Sequence, residues 1–432
     1  MAKELISLAP VVDKAILVGA PLKRSNARHA VDEHLLELER LIDTAGGIVV
    51  GTLTQQLDRP NPSTYVGKGK LEELKMMATE REATLLVFDD ELTPAQGKNL
   101  ELELGKRVVD RAELILDIFA VRARSAEARM QVELAQLEYS LPRLTRMWTH
   151  LEKFRGGIGV RGPGETQLES DRRMVGHRIK ILKERLADVQ RSREVQRASR
   201  KSEFRASLVG YTNAGKSSLL KAMSGAPDVF IEDRLFATLD PLTRDVMLGE
   251  QQKMLLTDTV GFIRKLPHHL VASFRATLEE VREADVLLHV IDASHPTWEE
   301  QRIVVDDVLA DLGVHDTPVV HVFNKIDALE PESLLALRQR MADLLPGSVF
   351  VSAQAPGGTA ELHAAMVARL MLRRPEVGVR IPAADGRMLA ELYRSAEVVS
   401  VRQDEESGDS LLRARVDDAL RGRLYRLGLL ED

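Results

Sequence analysis

The run 210-GYTNAGKS-217 has the spacing of a loop that wraps phosphates, two glycines five residues apart and then Lys and Ser. Across Gly210, Tyr211, Thr212, Asn213, Ala214 and Gly215 the backbone can turn its N–H groups toward phosphate oxygens, and the helix that must follow adds positive potential at its N-terminus. Lys216 is placed to reach the β- and γ-phosphates, Ser217 to offer a hydroxyl to Mg²⁺, and Ser218 completes the phosphate-binding set. Forty-two residues after Lys216, an apolar run ends in 258-DTVG-261. A carboxylate at Asp258 can hold Mg²⁺ through water, and the Gly261 N–H can meet the γ-phosphate, with Thr259 and Val260 between them. Many nucleotide hydrolases place a water-orienting glutamine after this glycine. Here the position is Phe262, which neither donates nor accepts a hydrogen bond.

Base identity is read further along, in 324-NKID-327. Asp327 can accept from both N1–H and N2–H of guanine, a donor pair that adenine lacks, so adenine would leave the carboxylate unpaired. Asn324 ties this loop to the phosphate loop, the Lys325 stem covers the base, and Ile326 lies between. In 351-VSA-353, Ser352 and Ala353 follow in order, and the Ala353 N–H is expected to meet guanine O6. Between the phosphate loop and Asp258 lies 235-LFATLDPLTR-244, where a threonine hydroxyl should close on Mg²⁺ and the γ-phosphate; Thr238 and Thr243 both qualify. Four guanine-nucleotide motifs in this order mark a GTPase domain of the translation-factor type, requiring Mg²⁺ as cofactor.

These residues need a doubly wound α/β scaffold, and the β-α-β-α pattern over 205–373 supplies one. At 432 residues the chain is too long for a single core. The fold class expected is α/β multidomain. A small α/β domain occupies 1–125, reading strand, helix, strand, helix through 84-TLLVFDD-90. A helical hairpin occupies 126–204, the GTPase domain 205–373, and a small C-terminal α/β domain 374–432. With 44% apolar and 29% charged residues the composition is that of a soluble protein. The absence of cysteine excludes disulfides and thiolate metal sites and fits a cytoplasmic protein. No leader and no apolar run of about 20 residues is visible. His289 and His321 sit in apolar strands, read as core or strand-end residues, and no metal-like histidine cluster is expected.

The hairpin is where charge concentrates. Residues 126–154 are helical in pattern, with Pro142 as a kink. The stretch 156–165 holds five glycines, and 166–202 is helical again, with Thr166 and Glu169 as a capping box at its start. Two helices joined by such a loop predict an antiparallel hairpin. Residues 141–205 carry 17 Lys and Arg against 8 Asp and Glu, a net +9, whereas the whole chain is −6 and the remainder therefore −15. A solvated helical surface explains such a run in many proteins. A basic rod with a glycine tip also suits phosphate backbones, with Arg155, Arg161, Arg172 and Arg173 as RNA-contact candidates.

The stretches 156-GGIGVRGPGETQLESDRR-173, 210-GYTNAGKSSL-219, 235-LFATLDP-241, 258-DTVGFIRKLPHHLV-271 and 324-NKID-327 resemble the HflX family of ribosome-associated GTPases (Obg/HflX-like), as do 64-TYVGKGK-70 and 110-DRAELILDIFAVRA-123. The resemblance implies that Thr238 is the switch threonine, within a first switch of Phe236, Ala237, Thr238, Leu239 and Asp240. It further implies binding of the large (50S) ribosomal subunit and its rRNA, approach of the glycine loop to the peptidyl-transferase region, and splitting of stalled or idle ribosomes under stress. Some members are also described as hydrolysing ATP through the N-terminal region and as acting on RNA.

The expectation is a cytoplasmic Mg²⁺-dependent GTPase, monomeric off the ribosome, that converts GTP to GDP and phosphate. An RNA-binding or remodelling protein in which GTP only reports occupancy is the alternative. A small-molecule or tRNA-modifying GTPase would need a further catalytic site, for which there is neither cysteine nor a metal cluster. Phe262 in the glutamine position predicts slow intrinsic hydrolysis stimulated by the ribosome, with Phe262 acting as a hydrophobic anchor. Asn213 is a candidate for holding K⁺ beside the β,γ-phosphates.

Overall fold

A computed structural model describes residues 12–23, 31–144, 163–198, 203–227, 232, 234–249, 252–265 and 280–431. The chain divides into two compact units. One comprises Met1–Val195, Glu232–Pro241 and Val260–Glu279; the other comprises Gln196–Ile231, Leu242–Thr259 and Glu280–Asp432.

In the first unit, β1 (Lys14–Gly19), β2 (Ile48–Thr54), β3 (Leu85–Phe88) and β4 (Arg107–Asp110) form a parallel sheet in the order β2-β1-β3-β4. Parallel neighbours need crossovers, supplied by α1 (Val31–Ala45), α2 (Lys68–Glu80) and α3 (Pro94–Leu104). Ile16, Val18, Leu74, Leu86, Phe88 and Leu100 form the core on one face. Beyond the strand read at 84–90, the structure adds α3, β4 and α4 (Arg111–Arg122), all within the expected 1–125.

The buried Asp110 caps α4 by accepting from the Glu113 N–H at 2.9 Å. The same carboxylate accepts from Leu92 N–H at 3.0 Å, Tyr139 Oη at 2.9 Å and Arg143 Nη2 at 3.3 Å. Four donors on one carboxylate fasten α5 (Ala126–Leu144) to this domain. Pro142 lies inside the last turn of α5.

The second hairpin helix, α6, runs Pro163–Ala198 and so begins before Thr166. Thr166 is thus inside the helix and is not its cap. The end of the glycine stretch, 163–165, is helical rather than loop, because a proline with its fixed φ suits the first turn. Residues 145–162, where the tip of the hairpin was expected, lie outside the described residues. Ion pairs Arg178–Glu133 at 2.6 Å and Lys183–Glu138 at 2.8 Å join α6 to α5.

The second unit holds two sheets. In the six-stranded one, β5 (Phe204–Gly210), β7 (Lys253–Asp258), β8 (Val286–Asp292), β9 (Val319–Asn324) and β10 (Val349–Phe350) are parallel, and only β6 (Leu242–Met247) is antiparallel. The order is β10-β9-β8-β5-β7-β6. Its helices are α7 (Lys216–Ser224), α8 (Trp298–Asp311), α9 (Pro331–Leu344) and α10 (Ala360–Arg373). The fully buried runs of β8 and β5 follow from cover on both faces. The C-terminal sheet is antiparallel: β11 (Glu376–Ile381), β12 (Glu397–Gln403), β13 (Ser410–Arg415) and β14 (Leu430–Glu431), with α11 (Gly386–Ser395) and α12 (Asp418–Arg426). Among the described residues, no helix is long and apolar enough to cross a membrane.

Candidate functional site

The phosphate loop leaves β5 at Gly210 and enters α7 at Lys216. Two glycines are required by what faces them. Gly210 has φ +153°, and a Cβ there would lie 2.3 Å from the Val290 carbonyl oxygen. At Gly215, with φ +93°, a Cβ would lie 2.2 Å from Asn324 Nδ2. Asn213 also takes a left-handed φ, +61°, which asparagine tolerates better than most residues.

Lys216 is buried, and its Nζ donates to the carbonyls of Tyr211 at 2.9 Å and Gly210 at 3.2 Å. Burial pushes its ammonium down to about 8, with Asp258 opposing the shift. Ser217 Oγ donates to Asp258 Oδ2 at 2.6 Å, so the two expected Mg²⁺ holders meet. A hydroxyl and a fully buried carboxylate are hard oxygen donors, and both fit Mg²⁺. Thr259 Oγ1 donates to the Leu208 carbonyl at 2.7 Å and fixes the end of β7 beside β5.

Asn324 is the junction of the base-reading end. Its Nδ2 donates to the Ala214 carbonyl at 2.9 Å, and its Oδ1 accepts from Ala353 N–H at 3.2 Å. The Ala353 N–H, expected to meet guanine O6, thus also faces the Asn324 side chain. Ser352 is buried and accepts through Oγ from the N–H groups of Ala355 at 3.0 Å and Gln354 at 3.3 Å, which shapes that loop. Lys325 (φ +63°) pairs with Asp292 at 2.7 Å, which holds its stem. Asp292, at the end of β8, is a partner of the base-reading loop that motif spacing missed. Ile326 and Asp327 form a short 3₁₀ turn, Ile326 half-buried and Asp327 exposed.

Thr243 lies on β6, and its Oγ1 shares a hydrogen bond with Thr257 Oγ1 at 2.9 Å across the strands. That hydroxyl is engaged inside the sheet. Thr238 and Ala237 are half-buried and belong with the first unit. There Phe236 (φ +55°) packs edge-on against Phe119, with centroids 4.7 Å apart, and Leu239 is buried. Asp240 accepts from the N–H groups of Arg124 at 3.0 Å and Ser125 at 3.2 Å, and from the Ser125 hydroxyl.

Val260, Phe262 and Ile263 are buried, Phe262 being among the largest fully buried side chains. Next to them Arg264 accepts through its carbonyl from Arg111 Nε at 3.1 Å, and Lys265 pairs with Asp89 and Asp90, both at 2.6 Å. Phe262, expected as a hydrophobic anchor, has almost no exposed surface. Of the RNA-contact candidates, Arg172 and Arg173 are exposed on α6, while Arg155 and Arg161 lie outside the described residues.

One expectation fails: His289, Asp306 and His321 present ligand-type atoms within 4.8 Å of one another. The histidines do form a cluster, because the parallel register sets His289 beside His321 and α8 brings Asp306 over them.

Family models match along most of the chain: "GTP-binding GTPase N-terminal" over 32–120, "GTP-binding GTPase Middle Region" over 122–200 and "50S ribosome-binding GTPase" over 205–325. GTPase HflX of Magnetococcus marinus is 47% identical over 400 residues, 91% of this chain and 90% of that one. The chain belongs to the HflX family. GTPase HflX of Escherichia coli is 43% identical over 386 residues, 89% of this chain and 90% of that one. A crystal structure of SsGBP with GDP aligns at TM-score 0.49 with 26% identity, over 84% of this chain and 99% of that one. As an HflX-family member with this phosphate loop, the protein binds GTP and GDP and hydrolyses GTP. GTPase domains of this kind use a Mg²⁺-dependent nucleotide site.

Proposed function

We propose that this HflX-family GTPase works in the cytoplasm on the large ribosomal subunit, contacting rRNA through its basic hairpin and using the GTP cycle to split stalled or idle ribosomes under stress. The observation that carries this is the net +9 of residues 141–205 against −15 elsewhere, with Arg172 and Arg173 exposed on α6. Basic side chains on a rod gain affinity for RNA phosphates by releasing counterions. The printed description of the family matched over 205–325, a 50S ribosome-binding GTPase, supports the same partner.

Within the GTPase, Lys216 would draw charge from the β,γ-bridging region as the bond to the leaving oxygen breaks. Ser217 and Asp258 would hold Mg²⁺, which would supply positive charge to the triphosphate, and Thr238 would serve as the switch hydroxyl that the resemblance implies. Asn324 keeps phosphate loop and base loop in register, so that Asp327 reads guanine. Phe262 does not position water, so intrinsic hydrolysis is slow and the ribosome completes the site. Monovalent cation held at Asn213 would place charge beside the same phosphates; equal rates in K⁺ and Na⁺ would exclude it.

Co-sedimentation on sucrose gradients tests the reading. The protein should travel with large subunits in a non-hydrolysable GTP analogue and leave them in GDP, and large subunits should raise GTP turnover many-fold. Equal turnover with and without ribosomes refutes it. RNA affinity that survives Thr238→Ala and Asp258→Ala without any splitting would favour an RNA-binding role in which GTP reports occupancy.

A further inference from the structure

We propose that His289, Asp306 and His321 form a binding site for a borderline divalent transition ion of the Zn²⁺ class, clamping β8, β9 and α8 together. The three donors come from three different elements, and register alone unites them: His289 pairs with His321 across the parallel strands. Their ligand-type atoms all lie within 4.8 Å of one another. His289 Nδ1 stands 3.4 Å from Asp306 Oδ1. Tetrahedral ligands at about 2.0–2.1 Å from zinc must stand about 3.3 Å from each other, so this pair is already spaced for a shared ion.

His289 is 1% exposed, and its Nδ1 has no hydrogen-bond partner, since the approach to Asp306 lacks hydrogen-bond geometry. A buried imidazole nitrogen left unpaired is costly, and metal coordination is one way to satisfy it. Both rings are supplied in the form a metal takes. Burial lowers the His289 pKa, and burial followed by the neighbouring His289 lowers His321 to about 4, so both are neutral at pH 7. Arg302 Nη1 holds the other oxygen of Asp306 at 2.6 Å, which orients Oδ1 toward His289. Such partners beyond the ligands fix carboxylates in metal sites generally. The Asp306 side chain is 39% exposed, giving an ion a route in.

Two imidazoles and one carboxylate favour Zn²⁺ and similar ions over Mg²⁺ and Ca²⁺, which prefer all-oxygen sets. The consequence reaches the base-reading loop. His289 precedes Asp292 by three residues on β8, and His321 precedes Asn324 by three on β9. A bound ion would pin both strands just upstream of the residues that hold Lys325 and the phosphate loop.

The test uses the full chain, stripped with chelator and kept in GDP with excess Mg²⁺ so that the nucleotide site is filled. Zn²⁺ is titrated against a chromophoric chelator, and Co²⁺ is followed by its visible absorption. The native protein should take up one equivalent more than Asp306→Asn or His321→Ala, or bind it at least ~10-fold tighter. Zn²⁺ should raise the melting temperature of the native chain only, and Co²⁺ should show the intense bands of a four-coordinate ion. Asp306→Asn keeps the side-chain shape, and retained GDP binding certifies its fold. Equal stoichiometry and affinity in native and variant proteins, or no uptake by the native chain, overturns the site.

Discussion

Asn324 and Phe262 are both buried, and they are buried in opposite company. Around Asn324 every link is directional: it donates to Ala214, accepts from Ala353 and stands against Gly215 with no room for a Cβ. In the first unit, Phe236 is ordered by packing on Phe119, and the chain beside Phe262 by charge pairs such as Lys265 with Asp89 and Asp90. Hydrogen bonds specify position to tenths of an ångström, whereas apolar packing is non-directional and tolerates rearrangement. Holding a nucleotide asks for the first, and a segment that must change state can be kept by the second.

The largest effect should come from Asp327→Asn. An amide offers donors where guanine needs an acceptor, so preference should turn from GTP toward xanthosine triphosphate by on the order of 10⁴-fold. Competition binding with both nucleotides measures it, and an unchanged preference would mean that Asp327 does not read the base. Next, Phe262→Ala should cost about 3–5 kcal/mol of stability, read from urea unfolding, because it empties a fully buried aromatic position. GTP affinity should change far less. If affinity falls as far as stability does, the division between the two regions is wrong.

Two smaller effects separate the regions by pH. Lys216 in the nucleotide-free protein titrates at about 8, and bound phosphates raise that value. GTP binding therefore takes up a proton above pH 8, and affinity should fall there by up to about tenfold per unit. Isothermal titration at pH 7 and pH 9 checks it, and equal affinities would show that Lys216 stays charged.

The switch-bearing unit should weaken in acid. Burial, then Arg264 and Lys265, pushes His34 down to about 3. A histidine depressed in the folded state contributes stability above its ordinary value near 6.5 that is lost as pH falls toward 3. The limit is about 1.4 kcal/mol per pH unit, reduced by the water that reaches a half-buried ring. Urea midpoints at pH 7 and pH 5 should show the drop, and Lys265→Gln should shrink it.

Motifs that need particular residue types at fixed spacing were legible. The phosphate loop does join a strand to a helix, and Asp258 and Asn324 each end a strand, β7 and β9. The capping pattern teaches a limit. Thr93 with Gln96 is a real capping box with a proline after it, and it marks the start of α3, which the reading passed over. Thr166 with Glu169 has the same pattern but does not mark the start of α6, which begins at Pro163. β4 is four residues long, too short for its alternation to stand out, so one edge strand of the N-terminal sheet is not visible in the sequence pattern. The use of the Ala353 N–H by Asn324, and the meeting of His289 with His321 and Asp306, depend on strand register and helix placement, which local spacing does not encode.

The fit of Gly215 against Asn324 bears on how this site can change over generations. Residues 109 positions apart share one pocket of space, so any side chain arriving at 215 must evict the amide. Both nucleotide loops then lose their tie in one step. A lineage drifting at either position meets a cliff rather than a slope: base reading and phosphate holding are inherited together, and no single-residue path leads through a half-working intermediate.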